Sequence, residues 1–285
     1  MGILTLIHNI RYLMRYNIKQ IHYDVSVAKN GLDFVKYEIN DDLKDLFIPN
    51  IMSKQESVDY IIKNKVSISR FGDGEFNLIK NVGIPFQQSS LELSMRLKEV
   101  LSSNDNNIKI GIAYWLFHTT NGAPEYSKNC TRIFGGDNSD WIAKLLNKNY
   151  IYINTGFTNL PKTKEDYEHI RKIWENRDLT VISGDRVFKG IEFNVFDNAK
   201  SIEYINAPTV NAFNKYDEIL EKAKLIPKDR LVAIILGPTA TVLAYDLAKL
   251  GYQALDLGHI VKSYDAYNKK QEITSNYLNS FYGKD

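Results

Sequence analysis

A single cysteine, Cys130, in 285 residues excludes an intramolecular disulfide and a multi-cysteine metal site, and it points to a reducing compartment. Long apolar runs are missing as well: nothing approaches the ~20 residues that a membrane span needs. Neither sign of charge dominates. With 36 Lys and Arg against 34 Asp and Glu, the net charge is +2, which excludes a chain held to nucleic acid chiefly by neutralising phosphates. Internal repeats and low-complexity tracts are absent. What is there is ordinary: 44% apolar and 25% charged residues, the proportions of a soluble globular protein rather than a disordered or fibrous one. At roughly 100–200 residues per domain, the length allows one large domain or two small ones.

The amino-terminal segment departs from this evenness. Ile3, Leu6, Ile7, Ile10, Leu13 and Met14 recur at helical spacing, while Arg11, Arg15 and Lys19 stack on a separate stripe. The charges follow the apolar positions and no small-residue cleavage site comes after them, so a secretory signal is not expected. Leu6 stands where a myristoylation motif wants Ser or Thr. A basic amphipathic helix of this kind lies on an anionic membrane surface, or packs on its own domain or a second subunit. Residues 1–52 are assigned to this helix and its connection, and residues 53–285 to the main domain. The expected setting is the cytoplasm, with peripheral contact at the inner face of the cell membrane and homo-oligomerisation left open.

From Ser53 onward strands and helices alternate. The strand-like runs are Val66–Arg70, Ile108–Tyr114, Tyr150–Asn154, Leu179–Ser183, Ser201–Ile205, Leu231–Leu236 and Tyr252–Leu255. Helical spacing marks Ser53–Asn64, Leu91–Ser102, Asp140–Leu146, Lys164–Trp174, Ala212–Lys224 and Thr241–Leu250. Alternation of this kind predicts an α/β fold: a Rossmann-like, mostly parallel sheet with helices on both faces. Leu231–Leu236 is apolar throughout, as a central parallel strand must be. Ligands of such sheets bind outside the carboxyl ends of the strands, so the turns just after them hold the candidate residues.

Five such turns are polar. In Arg70-Phe71-Gly72-Asp73-Gly74-Glu75 the glycines let the backbone approach a ligand, and Asp73 and Glu75 are expected to converge on one Mg²⁺ or Mn²⁺ from an extended turn. Arg70 would meet the phosphates that such a cation bridges. The same residues also suit a plain turn in which Asp73 caps a helix beginning near Glu75. Gly237-Pro238-Thr239-Ala240-Thr241 offers free N–H groups at a helix start as a phosphate seat, or a threonine cap. Asp256-Leu257-Gly258-His259 supplies a metal ligand or a group near a phosphate. Ser183-Gly184-Asp185-Arg186 offers an arginine to an anion, and Pro208–Phe213 offers Asn211 to a base or sugar. Each turn alone is a weak signal; five at one edge of a parallel sheet form a site.

The stretch Ser67-Ile-Ser-Arg-Phe-Gly-Asp-Gly-Glu-Phe76, with Phe86-Gln87 shortly after, resembles the signature of the GT-D-type bacterial glycosyltransferases. The later blocks Phe196–Ile202, Pro208–Phe213, Leu236–Leu247 and Gly251–Ile260 match in the same order, so the likeness covers roughly residues 53–268. The resemblance implies a Rossmann-like fold and hexosyl transfer from a nucleotide-sugar, expected to be a UDP-sugar, with a divalent metal. Asp73 and Glu75 become its D-x-E, joined by His259 at the metal. Arg70, Gly72, Gln87, Gly184, Arg186, Asn211, Gly237, Pro238 and Thr239 become the nucleotide-sugar site. The acceptor would be a glycan or lipid-linked glycan in bacterial surface polysaccharide or glycoprotein synthesis.

Such a transfer develops charge on a diphosphate leaving group, which a divalent cation and an arginine stabilise. An inverting transfer also needs a base for the acceptor hydroxyl, for which Asp256 and Asp265 are the candidates. Two other classes fit the same residues: a metal-dependent phosphohydrolase, and a non-catalytic nucleotide-binding module.

Overall fold

The computed structural model describes residues 49–117, 136–159 and 163–271. The amino-terminal basic stripe, Cys130, His8, His22 and His118 lie outside them. The chain divides into two units, residues 1–48 with 115–144 and residues 49–114 with 145–285. Helix Gly136–Leu145 supplies most of what is described of the first. The second carries the sheet and every candidate site residue.

Eight strands form one sheet: β1 (Asn50–Ile51), β2 (Ser67–Phe71), β3 (Ile108–Ile112), β4 (Ile151–Asn154), β5 (Asp178–Gly184), β6 (Ser201–Ala207), β7 (Leu231–Ile235) and β8 (Ala254–Asp256). Their spatial order is β1-β4-β3-β2-β8-β7-β5-β6, and every pairing is parallel. The predicted α/β class is what the structure has. The helices are α1 (Lys54–Asn64), α2 (Asp73–Ile79), α3 (Leu91–Leu101), α4 (Gly136–Leu145), α5 (Gly156–Asn159), α6 (Lys164–Arg171), α7 (Tyr216–Ala223), α8 (Pro238–Lys249) and α9 (Ile260–Asn268). Ser53 starts α1 with a capping box to Glu56, and Thr163 starts α6 in the same way with Asp166.

Both faces of the sheet are covered, and β7 shows how. Leu231, Ala233 and Ile235 pack into one cluster with Trp174, Tyr167 and Phe196; Val232 and Ile234 pack into another with Leu243, Leu247 and Ile219. All five β7 residues are therefore buried, as the unbroken apolar run requires. β6 is one of the two edges, and Tyr204 on it stays half exposed.

Several boundaries differ from those read in the sequence. Asn50 and Ile51 pair with Ile151 and Tyr152, so the sheet begins inside the segment assigned to the connection. The predicted helix 212–224 splits into a short turn at Ala212–Lys215 and α7, because Lys215 leaves the helical backbone with φ of −118° and ψ of 24°. α9 is absent from the predicted set: two of its buried positions are polar, Ser263 and Asp265, which interrupts the apolar stripe.

Trp174 follows α6 and is fully buried against Phe196, with Nε1 donating to the Val195 carbonyl at 3.1 Å. Trp174→Ala removes this ring from the main cluster and should cost about 3–5 kcal/mol in urea unfolding. A loss below ~1 kcal/mol would contradict the placement.

Candidate active site

The connection leaving β2 runs toward β3 and the one reaching β8 comes from β7, so the crossovers part between these neighbours. A crevice at the carboxyl ends of the strands is expected at such a point. A cavity of about 140 Å³ opens there. Arg70, Gly72, Asp73 and Glu75 line it at β2, Leu236 and Gly237 after β7, and Asp256, Gly258, His259 and Lys262 at β8, with Phe86, Gly184, Val187 and Thr209 also in the wall.

Buried hydroxyls close the seam beneath it. Only Ile68 and Leu255 are in register between β2 and β8. Ser67 Oγ donates to the Tyr252 carbonyl (3.0 Å) and accepts from the Ala254 N–H (2.9 Å). Ser69 Oγ donates to the Thr241 carbonyl (2.6 Å), which ties β2 to α8. Thr241 Oγ1 lies 3.0 Å from the Arg70 carbonyl oxygen and 3.2 Å from Asp256 Oδ2. Thr241 thus serves the seam, not a phosphate.

Arg70 is held on several sides. Its Nε lies 3.4 Å from Asp256 Oδ1, and its Nη1 donates to Thr158 Oγ1 of α5. The guanidinium rests on Gly258, whose φ is +52° and where a Cβ would fall inside its contact distance. Only glycine satisfies both constraints at this point. The Gly258 N–H in turn donates to Asp256 Oδ1 (3.1 Å).

The D-x-E is helical. Gly72 is the N-cap of α2 and Glu75 its third residue, with Glu75 Oε2 accepting the Gly72 N–H at 2.8 Å. Residues two apart on a helix point roughly 200° apart, so Asp73 and Glu75 do not face one side as an extended turn would make them. Nor is Asp73 the cap. It stands exposed at the mouth of the cleft, although the surrounding protein still raises its carboxyl, against its own and the Gly74 N–H. Burial pushes Glu75 up to about 7, with Asp256 adding to the rise and the Gly72 N–H and Arg70 opposing it. Burial also raises Asp256, against Arg70, the Gly258 N–H and Thr241. Burial and then Arg70 bring His259 down to about 4, so its imidazole is neutral at physiological pH.

Of the other residues expected at the site, Gly237 and Gly184 line the cleft; Gly237 has φ of +53° and a Cβ there would come within 2.8 Å of the Phe86 ring. Gln87 is buried, and its Oε1 accepts the Phe213 N–H at 3.3 Å. Asn211 donates its N–H to the Phe86 carbonyl (2.8 Å), and its Oδ1 accepts the Gln88 N–H (2.7 Å). Both therefore fasten Phe86 over Gly237. Pro238 and Thr239 are buried in the first turn of α8, outside the lining. Arg186 is exposed and also outside it, with its N–H donating to Thr209 Oγ1 (3.1 Å). Asp265 lies outside as well. Burial works to raise its carboxyl, but the N–H groups of Phe193 and Glu192 and the Lys269 ammonium outweigh that and hold it below the usual range. Lys262 was not among the expected residues. It sits three positions beyond His259, a spacing that indicates a shared face only once α9 is known to be a helix.

Among the described residues, no three His, Cys, Asp or Glu side chains converge as a ready-made metal cage. Mg²⁺ commonly takes one or two carboxylates and completes its shell with substrate phosphates and water. Asp73 at the mouth, with the neutral His259 in the same lining, fits that mode of binding, whereas Glu75 is turned back to the Gly72 N–H.

A profile of the family described as glycosyltransferase GT-D fold matches residues 68–281. The chain is 30% identical over 238 residues to the glycosyltransferase GlyD of Streptococcus pneumoniae serotype 4, across 78% of this chain and 28% of that protein. It is 30% identical over 232 residues to a probable glycosyl transferase Gly of Streptococcus gordonii, across 76% of this chain and 33% of that one. It thus spans about a third or less of the length of these relatives. A solved domain of unknown function 1792, described as having a distinct glycosyltransferase fold, superposes with a TM-score of 0.77 at 27% identity, over 88% of this chain and 93% of that one. A glycosyltransferase of the same domain class from Streptococcus sanguinis gives a TM-score of 0.75 at 26% identity, over 84% and 93%.

Glu75 makes the cleft sensitive to pH. Its proton affinity in the fold exceeds that of the unfolded chain, so the protonated form stabilises the fold fully below about 4.5, and this contribution is lost as pH rises to about 7. Glu75→Gln keeps an acceptor for the Gly72 N–H and removes the charge. In metal-free buffer the unfolding free energy of the variant should gain on that of the parent across this window. A difference that stays flat from pH 4.5 to 8 would contradict the assignment.

Proposed function

Because the chain belongs to the glycosyltransferase GT-D fold family, we propose that it transfers a hexosyl group from a nucleoside diphosphate sugar, of which a UDP-sugar is the form expected, to a glycan acceptor. The observation that carries this reading is one cleft in which Arg70 and Lys262 stand with Asp73, Glu75 and Asp256 at the carboxyl edge of the sheet. Cations suit a diphosphate, and carboxylates suit a metal ion and a proton. The cleft forms where α8 and α9 begin, and free N–H groups at helix starts favour anions.

Each group has a task in this reading. Arg70, held by Asp256, Thr158 and Gly258, presents a fixed positive charge toward the leaving diphosphate, so little reorganisation is needed as charge develops. Lys262 adds a second cation on a more flexible side chain. Asp73, with the neutral His259 in the same lining, is the residue that would hold a divalent cation, Mn²⁺ or Mg²⁺, which when bound would supply further charge stabilisation to the diphosphate. Of the two carboxylates considered as base, Asp265 is outside the cleft. Asp256 lines it, and burial raises its proton affinity in the direction that a base near neutral pH requires. Phe86, clamped over Gly237, offers a flat apolar wall to the donor.

No described helix is long and apolar enough to cross a membrane. The membrane contact proposed for the amino-terminal stripe concerns residues outside those described.

Nucleotide-sugar turnover with and without a glycan acceptor tests the reading, since a phosphohydrolase would release sugar regardless of acceptor. Asp73→Asn should leave the melting temperature nearly unchanged, because the residue is exposed. Acceptor-dependent transfer should fall at least ~10²-fold, equal to about 2.7 kcal/mol of transition-state stabilisation. Full activity of the variant, with chelator having no effect on the parent, would remove the metal role.

A further inference from the structure

The cleft wall formed by Gly184 and Val187 continues outward as a shelf of aromatic rings. Phe188 meets Tyr204 of β6 edge to face, with ring centroids 5.2 Å apart and an interplanar angle of 79°. Asn194 Nδ2 reaches Tyr204 Oη at 3.4 Å, which brings residues 193–194 to the same place. Tyr204 is 47% exposed and Phe193 42%. Scattered apolar side chains on a surface are common, but a packed aromatic pair on the segment leaving a cleft, with exposed Phe193 next to the residue that reaches it, marks a binding surface.

This shelf is strapped down. Asp265 Oδ1 accepts the N–H groups of Glu192 (2.9 Å) and Phe193 (3.0 Å). Lys269 Nζ lies 2.9 Å from both Asp265 Oδ2 and Glu192 Oε1, and donates to the Gly190 carbonyl (3.2 Å). Lys262 Nζ donates to the Lys189 carbonyl (3.1 Å). α9 therefore holds the segment from the cleft outward, with Phe188 packed against the core and Tyr204 and Phe193 left exposed.

We propose that this shelf is the acceptor subsite and that its occupant is a pyranose ring of a saccharide. The proposal rests on the glycosyl-transfer reading and deepens it. A pyranose presents polarised C–H bonds on one face and hydroxyls around its rim. The C–H face suits the electron-rich face of an aromatic ring. The rim finds Tyr204 Oη, the Asn194 amide and the exposed Asn206. A partner protein seeking an apolar footprint would instead meet the exposed Asn206, which shares the Tyr204 face of β6. Continuity with the cleft sets an acceptor bound here beside the donor, as group transfer requires.

Saturation-transfer NMR on the full chain, with cellobiose, maltose and N,N′-diacetylchitobiose as probes, tests this, and calorimetry with UDP on the same samples reports the donor site. At least one disaccharide should bind the parent protein. Tyr204→Ala and Phe193→Ala should each weaken that binding by about tenfold, the scale of one lost ring contact, with UDP affinity unchanged. Tyr204→Phe, which keeps the ring, should retain most of it. Saccharide binding unchanged in both alanine variants, lost in step with UDP affinity, or absent from the parent for all three probes overturns the proposal. UDP bound without any saccharide overturns the shelf alone, whereas saccharide bound without UDP overturns the donor reading.

Discussion

A nearly buried arginine has to be satisfied wherever the chain puts it, and the site is arranged around how Arg70 is satisfied. Taking a guanidinium out of water costs several kcal/mol unless charge and hydrogen bonds replace the lost hydration. Asp256 supplies the charge from the end of β8, Thr158 supplies an acceptor from α5, and Gly258 supplies the space. These three come from the turns after β8 and β4, on either side of β2 in the sheet. Meeting the requirements of one side chain therefore aligns the turns that make the cleft. Asp256 is held as firmly as it holds: the Gly258 N–H and Thr241 bind its two oxygens.

The same economy shows in the seam below. Ser67, Ser69 and Thr241 are fully buried, and their hydroxyls join β2, β8 and α8 where the ladder between β2 and β8 is short. Small polar residues in a central strand look unpromising as core. Here each hydrogen bond joins a pair of elements that meet at the cleft, so the seam also sets the position of Arg70 at the strand's end.

Much of the fold was legible because parallel sheets leave a strong pattern. Runs such as Leu231–Ile235, apolar on both faces, and helices with clear stripes such as α3 can be read from periodicity alone. β1 could not be, since two residues carry no alternation, and α9 could not because two of its buried positions, Ser263 and Asp265, are polar. That omission spread to the site. Without α9, Lys262 had no reason to be grouped with His259, and Asp265 looked like a cleft carboxylate instead of an anchor for residues 192–193. The turns after β2, β7 and β8 were placed correctly at one edge, because strand ends in a parallel sheet must share it. What each side chain does there depended on long-range partners that no local spacing reveals: Gln87 reaches Phe213, Asn211 reaches Gln88, and Glu75 turns back to Gly72.

The central claim is that Arg70, seated on Gly258, organises the cleft for a diphosphate. Gly258→Ala tests it most directly, because the added methyl strikes the guanidinium while removing no polar group. Calorimetric titration of the variant with UDP, alongside its thermal unfolding, separates the cleft from the fold. The account predicts a UDP affinity at least ~10-fold weaker, about 1.4 kcal/mol, in a protein that still unfolds in a single cooperative step. A variant that binds UDP as tightly as the parent would contradict it.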